Sequence, residues 1–273
     1  MNVLLVYAHP EPRSLNGSIK NFIIRHLEQA GHTVQVSDLY AMDWKAVLDA
    51  ADNTVARKEI RLDPSRDSQD VYENGTQRSD IEQEQDKLRW ADAVILQFPL
   101  WWFSMPAILK GWVERVYACG FAYGIGEHSD TRWGIRYGEG CWPASAPCWW
   151  SRSVAGHLTM RHEASTAPST TFSIQHGILF YPGFEVLPPY VVYRTGKLGE
   201  AGFATVSEEL GQRLDSLWTD APIPFRKQNA GYYLIPELTL RPDLLPGETG
   251  FGIHLDQPSF SGNSMSSVNG FDK

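Results

Sequence analysis

Two short stretches carry side chains whose types and spacing suit ligand binding. The first, "AHPEPRSLNGS", places His9, Arg13, Ser14 and Asn16 between an apolar run and a helical pattern. A helix N-terminus offers unpaired N–H groups and the positive end of the helix dipole, which suit a phosphate. Ser14 and Asn16 add hydroxyl and amide groups, and Arg13 adds charge. The plainer alternative is that Ser14 only caps the helix. The second stretch, "QFPLWWFSMPAILKGW", puts Trp101, Trp102 and Phe103 directly after another apolar run. Aromatic residues often fill a core, but at a strand end they can flank a planar ring by stacking. Their position favours the flat ligand.

Further along, Glu114 and Arg115 read as a structural pair. "GFAYGIGEHSDTRWG" adds Tyr123 and His128, the latter read as an exposed histidine, and "IQHGILFYPGFEV" adds His176 and Tyr181. The chain has no GxGxxG or GxxxxGK phosphate loop, no HxxxH or HExxH metal spacing and no GxSxG elbow, so no metal site is expected.

These residues need elements to hold them. "NVLLVYAH" and "DAVILQFPL" are continuous apolar runs, as in strands buried on both faces, and "HTVQVSDLY" alternates as a third strand. "SLNGSIKNFIIRHLEQAG" has helical rhythm through Ile19, Phe22, Ile23 and Leu27, ending at Gly31. "SDIEQEQDKLRWA" reads as a helix capped by Ser79. "MPAILKGWVERVYACG" reads as a helix with Pro106 in its first turn. "FEVLPPYVVY" is a late strand and "EAGFATVSEELGQRLDSLW" a late helix. The polar stretch from about Asp49 to Gly75 reads as a surface excursion. Strand–helix alternation predicts a parallel sheet covered on both faces, with ligands at the carboxyl ends of its strands. Residues 1–220 form that domain. Residues 221–273 form an extended arm, rich in Pro and Gly and partly disordered at its end.

Hydrophobic residues make up 42% and charged residues 21%, as in a soluble globular chain, and the net charge of −8 argues against a broad nucleic-acid surface. No apolar run is long enough to span a membrane. "MNVLLVYAHP" lacks a basic leader and a cleavage site, so it reads as a strand rather than a signal. Three cysteines, Cys119, Cys141 and Cys148, without CxxC spacing point to a reducing compartment and hence the cytoplasm.

"YAHPEPRSLNGSIK", "SDLYAMDW", "FPLWWFSMPAILKGWVERV", "GFAYG", "IQHGILFYPGFEVLPP" and "GFGIH" together resemble the NAD(P)H:quinone oxidoreductase family. These are flavodoxin-like flavoproteins related to mammalian DT-diaphorase enzymes and bacterial modulators of drug activity. The resemblance implies an α/β fold with a doubly wound five-stranded parallel sheet in the order 2-1-3-4-5. It also implies a homodimer, FAD rather than FMN as cofactor, NAD(P)H as hydride donor and a small quinone as acceptor. By the same resemblance, His9, Arg13, Ser14 and Asn16 hold the flavin phosphates and ribityl chain. Arg13 stands where some members carry Thr. Pro99, Leu100, Trp101, Trp102 and Phe103 line the flavin ring, and Thr195 and Gly196 lie near the adenosine. Tyr123 and Tyr181, with Trp102 and Phe103, wall the substrate pocket. No catalytic residue is assigned. Two other activities suit the same features: a reductase of azo or nitro compounds, and a regulatory flavoprotein that binds a partner protein without turnover.

The stretch from Cys141 to Ser173, "CWPASAPCWWSRSVAGHLTMRHEASTAPSTTFS", breaks the pattern. The family places its fourth strand and a TxGG flavin loop here. One permitted set of codons for Cys141–Gly156, read two bases on, translates as "LAGKRAMLVVTVGGW", an apolar strand followed by "TVGGW". The segment therefore reads as the family's strand and loop taken out of frame, with a genuinely divergent insertion as the rival reading. As it stands, Pro147 removes a ladder donor and Arg152 brings charge into the sheet. No role is assigned to its cysteines or histidines.

Overall fold

The computed structural model describes residues 1–55, 61–127, 129–132, 134–138, 153–155, 158–160, 171–193 and 195–256. The readings made for His128, for Pro147 and Arg152 and for the end of the arm lie outside these residues, as do Cys141 and Cys148.

β1 (Asn2–Tyr7) lies between β2 (Thr33–Asp38) and β3 (Ala93–Gln97) and runs parallel to both, with Val3 opposite Val34 and Ala93. β4 (Ser153–Ala155) pairs with β3, and β6 (Val186–Leu187) pairs with β4, all in parallel. The order β2-β1-β3-β4-β6 is the expected one. β5 (Leu158–Met160) pairs in parallel with β7 (Val191–Tyr193). The predicted late strand is thus split in two, because Pro188 and Pro189 have no N–H to give a ladder.

The alternation of β1 and β3 sends apolar side chains to both faces. Leu4, Val6, Val94 and Leu96 meet Leu88 of α3 (Ser79–Trp90) and Leu109, Trp112 and Val116 of α4 (Ala107–Val116) in one core. Val3, Leu5 and Ile95 meet Ile19, Ile23 and Leu27 of α1 (Leu15–Gln29) and Val206, Leu210 and Leu214 of α5 (Glu200–Asp215) in the other. Each such side chain contributes about 1.5–3 kcal/mol by leaving water, which is why the central strands cannot slip register.

Several local expectations need correction. The stretch read as a surface excursion carries a helix of its own. Asp63 caps α2 (Pro64–Glu73), its side chain accepting from the Arg66 N–H, and Val71 is buried. Pro at the first helical position and Asp before it are the responsible start signals. Ser79 is the first helical residue of α3, not its cap. Arg78 holds that place without a side-chain bond, and Asp80 and Glu82 answer the helix dipole instead. Pro106 stands at the N-cap of α4, one residue before the helix.

Glu114 and Arg115 do not pair with each other. Glu114 pairs with Lys110, while the fully buried Arg115 side chain meets Asp52 at 2.9 Å and Asp80 at 3.0 Å. Residues one apart on a helix point in different directions. Gly111 of α4 lies against the backbone of Ala46, whose carbonyl oxygen would be 1.9 Å from any added Cβ.

The arm folds back on the domain. The Ile223 N–H donates to the Val186 carbonyl at 2.7 Å, and Phe225 is buried. A short hairpin of β8 (Tyr233–Leu234) and β9 (Thr239–Leu240) and a 3-10 turn, Phe251–His254, follow. A π-helical segment, Ser173–Phe180, precedes Gly183.

Candidate active site

β1 and β3 end side by side, where the Ala8 N–H donates to the Gln97 carbonyl at 3.0 Å. The loops that leave them are therefore neighbours. In the first loop the Glu11 N–H donates to His9 Nδ1 at 3.1 Å, which leaves Nε2 to carry the proton in a neutral ring. The Ser14 hydroxyl lies 3.1 Å from the same nitrogen and donates to the Glu11 carbonyl at 2.7 Å. It also accepts the Gly17 N–H at 3.2 Å, so the capping role is real. Capping leaves the other first-turn amides of α1 as donors. Gly17 is required for closure: an added Cβ would sit 1.9 Å from the Pro12 carbonyl oxygen.

Arg13 is brought to this loop but not into its cradle. Its guanidinium is exposed and grips Glu11 at 2.9 Å, and that contact holds the Glu11 carboxyl below its usual range.

Beneath the loop lie three buried polar residues that the sequence reading did not group: Tyr7, Asn16 and Gln97. The Gln97 Nε2 donates to the Asn16 carbonyl at 2.7 Å. The Tyr7 hydroxyl, Asn16 Oδ1 and Gln97 Oε1 are buried and find no partner among the described residues. Burial pushes the Tyr7 hydroxyl up to about 12, so it stays protonated and able to donate.

In the second loop Pro99 and Leu100 are buried and the chain then turns outward. Trp101 and Ser104 exchange backbone hydrogen bonds at 3.0 Å. Between them Trp102 (φ 50°) and Phe103 (φ 60°) are left-handed. That conformation costs a side-chain-bearing residue about 1–2 kcal/mol. Trp102 is 94% exposed, Phe103 62% and Trp101 42%, so the trio is not core filling. The His9 and Trp101 rings lie 6.0 Å apart and join the two loops.

Tyr123 and Tyr181 meet each other at 6.4 Å. Among the described residues no ring contact links them to Trp102 or Phe103. They border a larger aromatic cluster. Tyr137 and Phe172 both stack on the His176 ring, at 4.8 and 4.7 Å, and Phe225 meets it edge-on at 5.0 Å. Burial, with His254 nearby, pushes His176 down to about 3, and burial with Arg226 lowers His254. Only Tyr181 and His176 of this cluster were singled out in the sequence. Tyr137, Phe172 and Phe225 come from segments with no pattern in common. Thr195 and Gly196 belong to a 3-10 turn, Thr195–Lys197, that follows β7. Burial raises the Cys119 thiol, which removes it as a ready nucleophile. Among the described residues no group of His, Cys, Asp and Glu could hold a metal ion, and no helix is long and apolar enough to cross a membrane.

Residues 1–214 match the family model for the flavodoxin-like fold. Human ribosyldihydronicotinamide dehydrogenase [quinone] is 37% identical over 227 residues, 81% of this chain and 94% of the human one. The chain belongs to the flavodoxin-like NAD(P)H:quinone oxidoreductase family. Within this family, the ribosyldihydronicotinamide dehydrogenase-like protein traD of Penicillium crustosum is 47% identical over 93% of this chain and 95% of its own. A crystal structure from Klebsiella pneumoniae, provisionally described as a quinone reductase, superposes with a TM-score of 0.87. It is 56% identical and covers 93% of this chain and 99% of that one.

The residues present fit the flavin that the family implies. A helix terminus suits phosphate, the orphaned Asn16 Oδ1 and Gln97 Oε1 call for hydroxyl donors, and the exposed strained turn offers ring faces.

Proposed function

We propose that this oxidoreductase is a flavin-dependent NAD(P)H:quinone oxidoreductase that carries FAD and works as a homodimer in the cytoplasm. The observation that carries the reading is the strained, exposed Trp101–Ser104 turn beside the His9–Ser14 loop. A folded chain keeps such strain where neighbours over-determine it, and it clusters at binding sites.

A bound flavin supplies two-electron hydride chemistry, which amino-acid side chains lack. The chain's own residues bind and orient. The first-turn amides of α1, with Ser14 and Asn16, take the phosphate and ribityl groups, and His9 Nε2 donates toward them. Trp101, Trp102 and Phe103, held by Pro99 and Leu100, flank the ring. The family resemblance assigns Thr195 and Gly196 to an adenosine side, and it is this resemblance that supports FAD over FMN. Tyr123 and Tyr181 exclude water from the quinone, and water exclusion strengthens every polar interaction in the site. Trp102 is too exposed to form a closed pocket alone, so a second copy supplies the missing wall. A free Cys119 agrees with a reducing compartment.

The hydride donor has a second reading. The human and Penicillium relatives are both named for ribosyldihydronicotinamide, which makes that smaller donor a direct competitor to NADH and NADPH. Purified protein is expected to be yellow, to elute at the mass of two chains, and to oxidise one of these three donors when a quinone is present. Colourless protein without turnover, even after incubation with FAD, overturns the reading.

A further inference from the structure

We propose that Gln97 is a positioning residue that fixes the phosphate loop against the ring-stacking turn. The inference rests on the flavin reading above, but it concerns a residue that the reading leaves unused. Gln97 ends β3, two residues before Pro99, and its side chain is fully buried. Three of its groups have distinct tasks. Its carbonyl takes the Ala8 N–H at 3.0 Å, immediately before His9. Its Nε2 donates to the carbonyl of Asn16 in the first turn of α1 at 2.7 Å. That acceptor settles the orientation of the amide, because the flipped group would set two oxygens against each other. Its Oε1 then remains buried and unpartnered, as do Asn16 Oδ1 and the Tyr7 hydroxyl.

Tyr7 and Gln97 are register partners on adjacent strands, so their side chains leave the same face of the sheet, the one α1 covers. One residue thus ties the end of β1 through its backbone, and its side chain ties the start of α1 to the strand that launches Trp101–Ser104. A ligand that touches both loops needs them in one fixed relation; a ligand that touches only the aromatic turn does not. Buried donors without an alternative partner are costly to remove, which makes this tie stiffer than an exposed hydrogen bond.

The test titrates apoprotein with FAD, FMN and lumiflavin, the last having the ring without ribityl or phosphate. Gln97→Met keeps length and removes the amide. It is expected to weaken FAD and FMN about tenfold, the worth of one lost hydrogen bond. Lumiflavin affinity is expected to hold within about twofold. Equal weakening of all three ligands, or none, overturns the inference. Should Gln97→Met fail to fold, Gln97→Asn, whose amide falls one methylene short of Asn16, carries the same comparison. Wild-type protein that binds no flavin overturns the proposed function and this inference together. Wild-type binding with unchanged variants overturns the inference alone.

Discussion

Trp101 and Ser104 exchange both of their backbone hydrogen bonds, and the two aromatic residues between them are held left-handed. Asn and Gly favour this turn, and bulky rings do not. Phe103→Gly removes one strained side chain, worth about 1–2 kcal/mol, and loses little buried area because the ring is mostly exposed. The melting temperature is expected to rise by about 2–4 °C while flavin affinity and kcat/KM fall. Scanning calorimetry and flavin titration on the same preparation check it; a fall in both stability and binding would sink the idea that the strain serves the site.

Arg115 is expected to be the costliest surface-distant charge to remove. Its side chain is fully buried, donates to Asp52 and Asp80, and stacks over Trp44 at 4.6 Å. Arg115→Met removes the buried partner of two carboxylates, Asp52 and Asp80, that keep Lys45 and Arg78 respectively, a loss of about 1.5–3 kcal/mol. Burial raises the Asp80 pKa, but Arg115 and Arg78 more than offset it, so the carboxyl titrates below its usual range. A depressed carboxylate stabilises the fold above its unfolded pKa, and that share is lost as pH falls through the folded value. Denaturant melts of the wild type should therefore weaken below about pH 4, and those of Arg115→Met should show less of this acid dependence.

His176 gives the opposite kind of group, a base kept neutral. Tyr137, Phe172, Phe225, Tyr233, Arg226 and His254 surround it. Its folded pKa of about 3 lies below the ordinary histidine value, so between the two the unfolded chain binds the extra proton. Stability is then full above about pH 6.5 and declines on acidification toward pH 3, by at most about 1.4 kcal/mol per pH unit. His254 adds in the same direction. His176→Phe should flatten the slope of melting temperature between pH 7 and 5. An unchanged slope would assign the acid sensitivity elsewhere.

Much of this architecture was legible before any coordinates. The apolar runs ending at His9 and Leu100 announced central strands, and the loops that leave them are neighbours. What periodicity could not reveal depends on contacts between distant segments. Gln97 reads as one polar residue in an apolar strand until α1 brings Asn16 to it. Arg115 reads as half of a neighbouring pair until α2 and the turn at Ala50–Asp52 bring Asp52 over the helix. The pairing of Arg13 with Glu11, two residues away, is likewise a local contact that periodicity does not show. The late strand reads as one piece because a pattern of apolar residues is blind to the missing N–H groups of its two prolines.

The stretch from Cys141 to Ser173 yields the last prediction. We infer that it is the family's fourth strand and flavin loop translated out of frame, since a shift of two bases permits "TVGGW" after an apolar run. Two glycines at that point would let backbone approach a ring closely, which a side-chain-bearing pair does not. Backbone N–H groups aimed at a ring edge that gains negative charge on reduction favour hydride transfer. Two measurements follow. Resequencing the gene should find bases that encode "TVGGW" in another frame, with a second shift near Ser173; bases unable to do so end the argument. Protein made from the restored frame should then retain more flavin per chain after gel filtration than the chain as it stands, and equal retention would show that this loop contributes nothing to holding the cofactor.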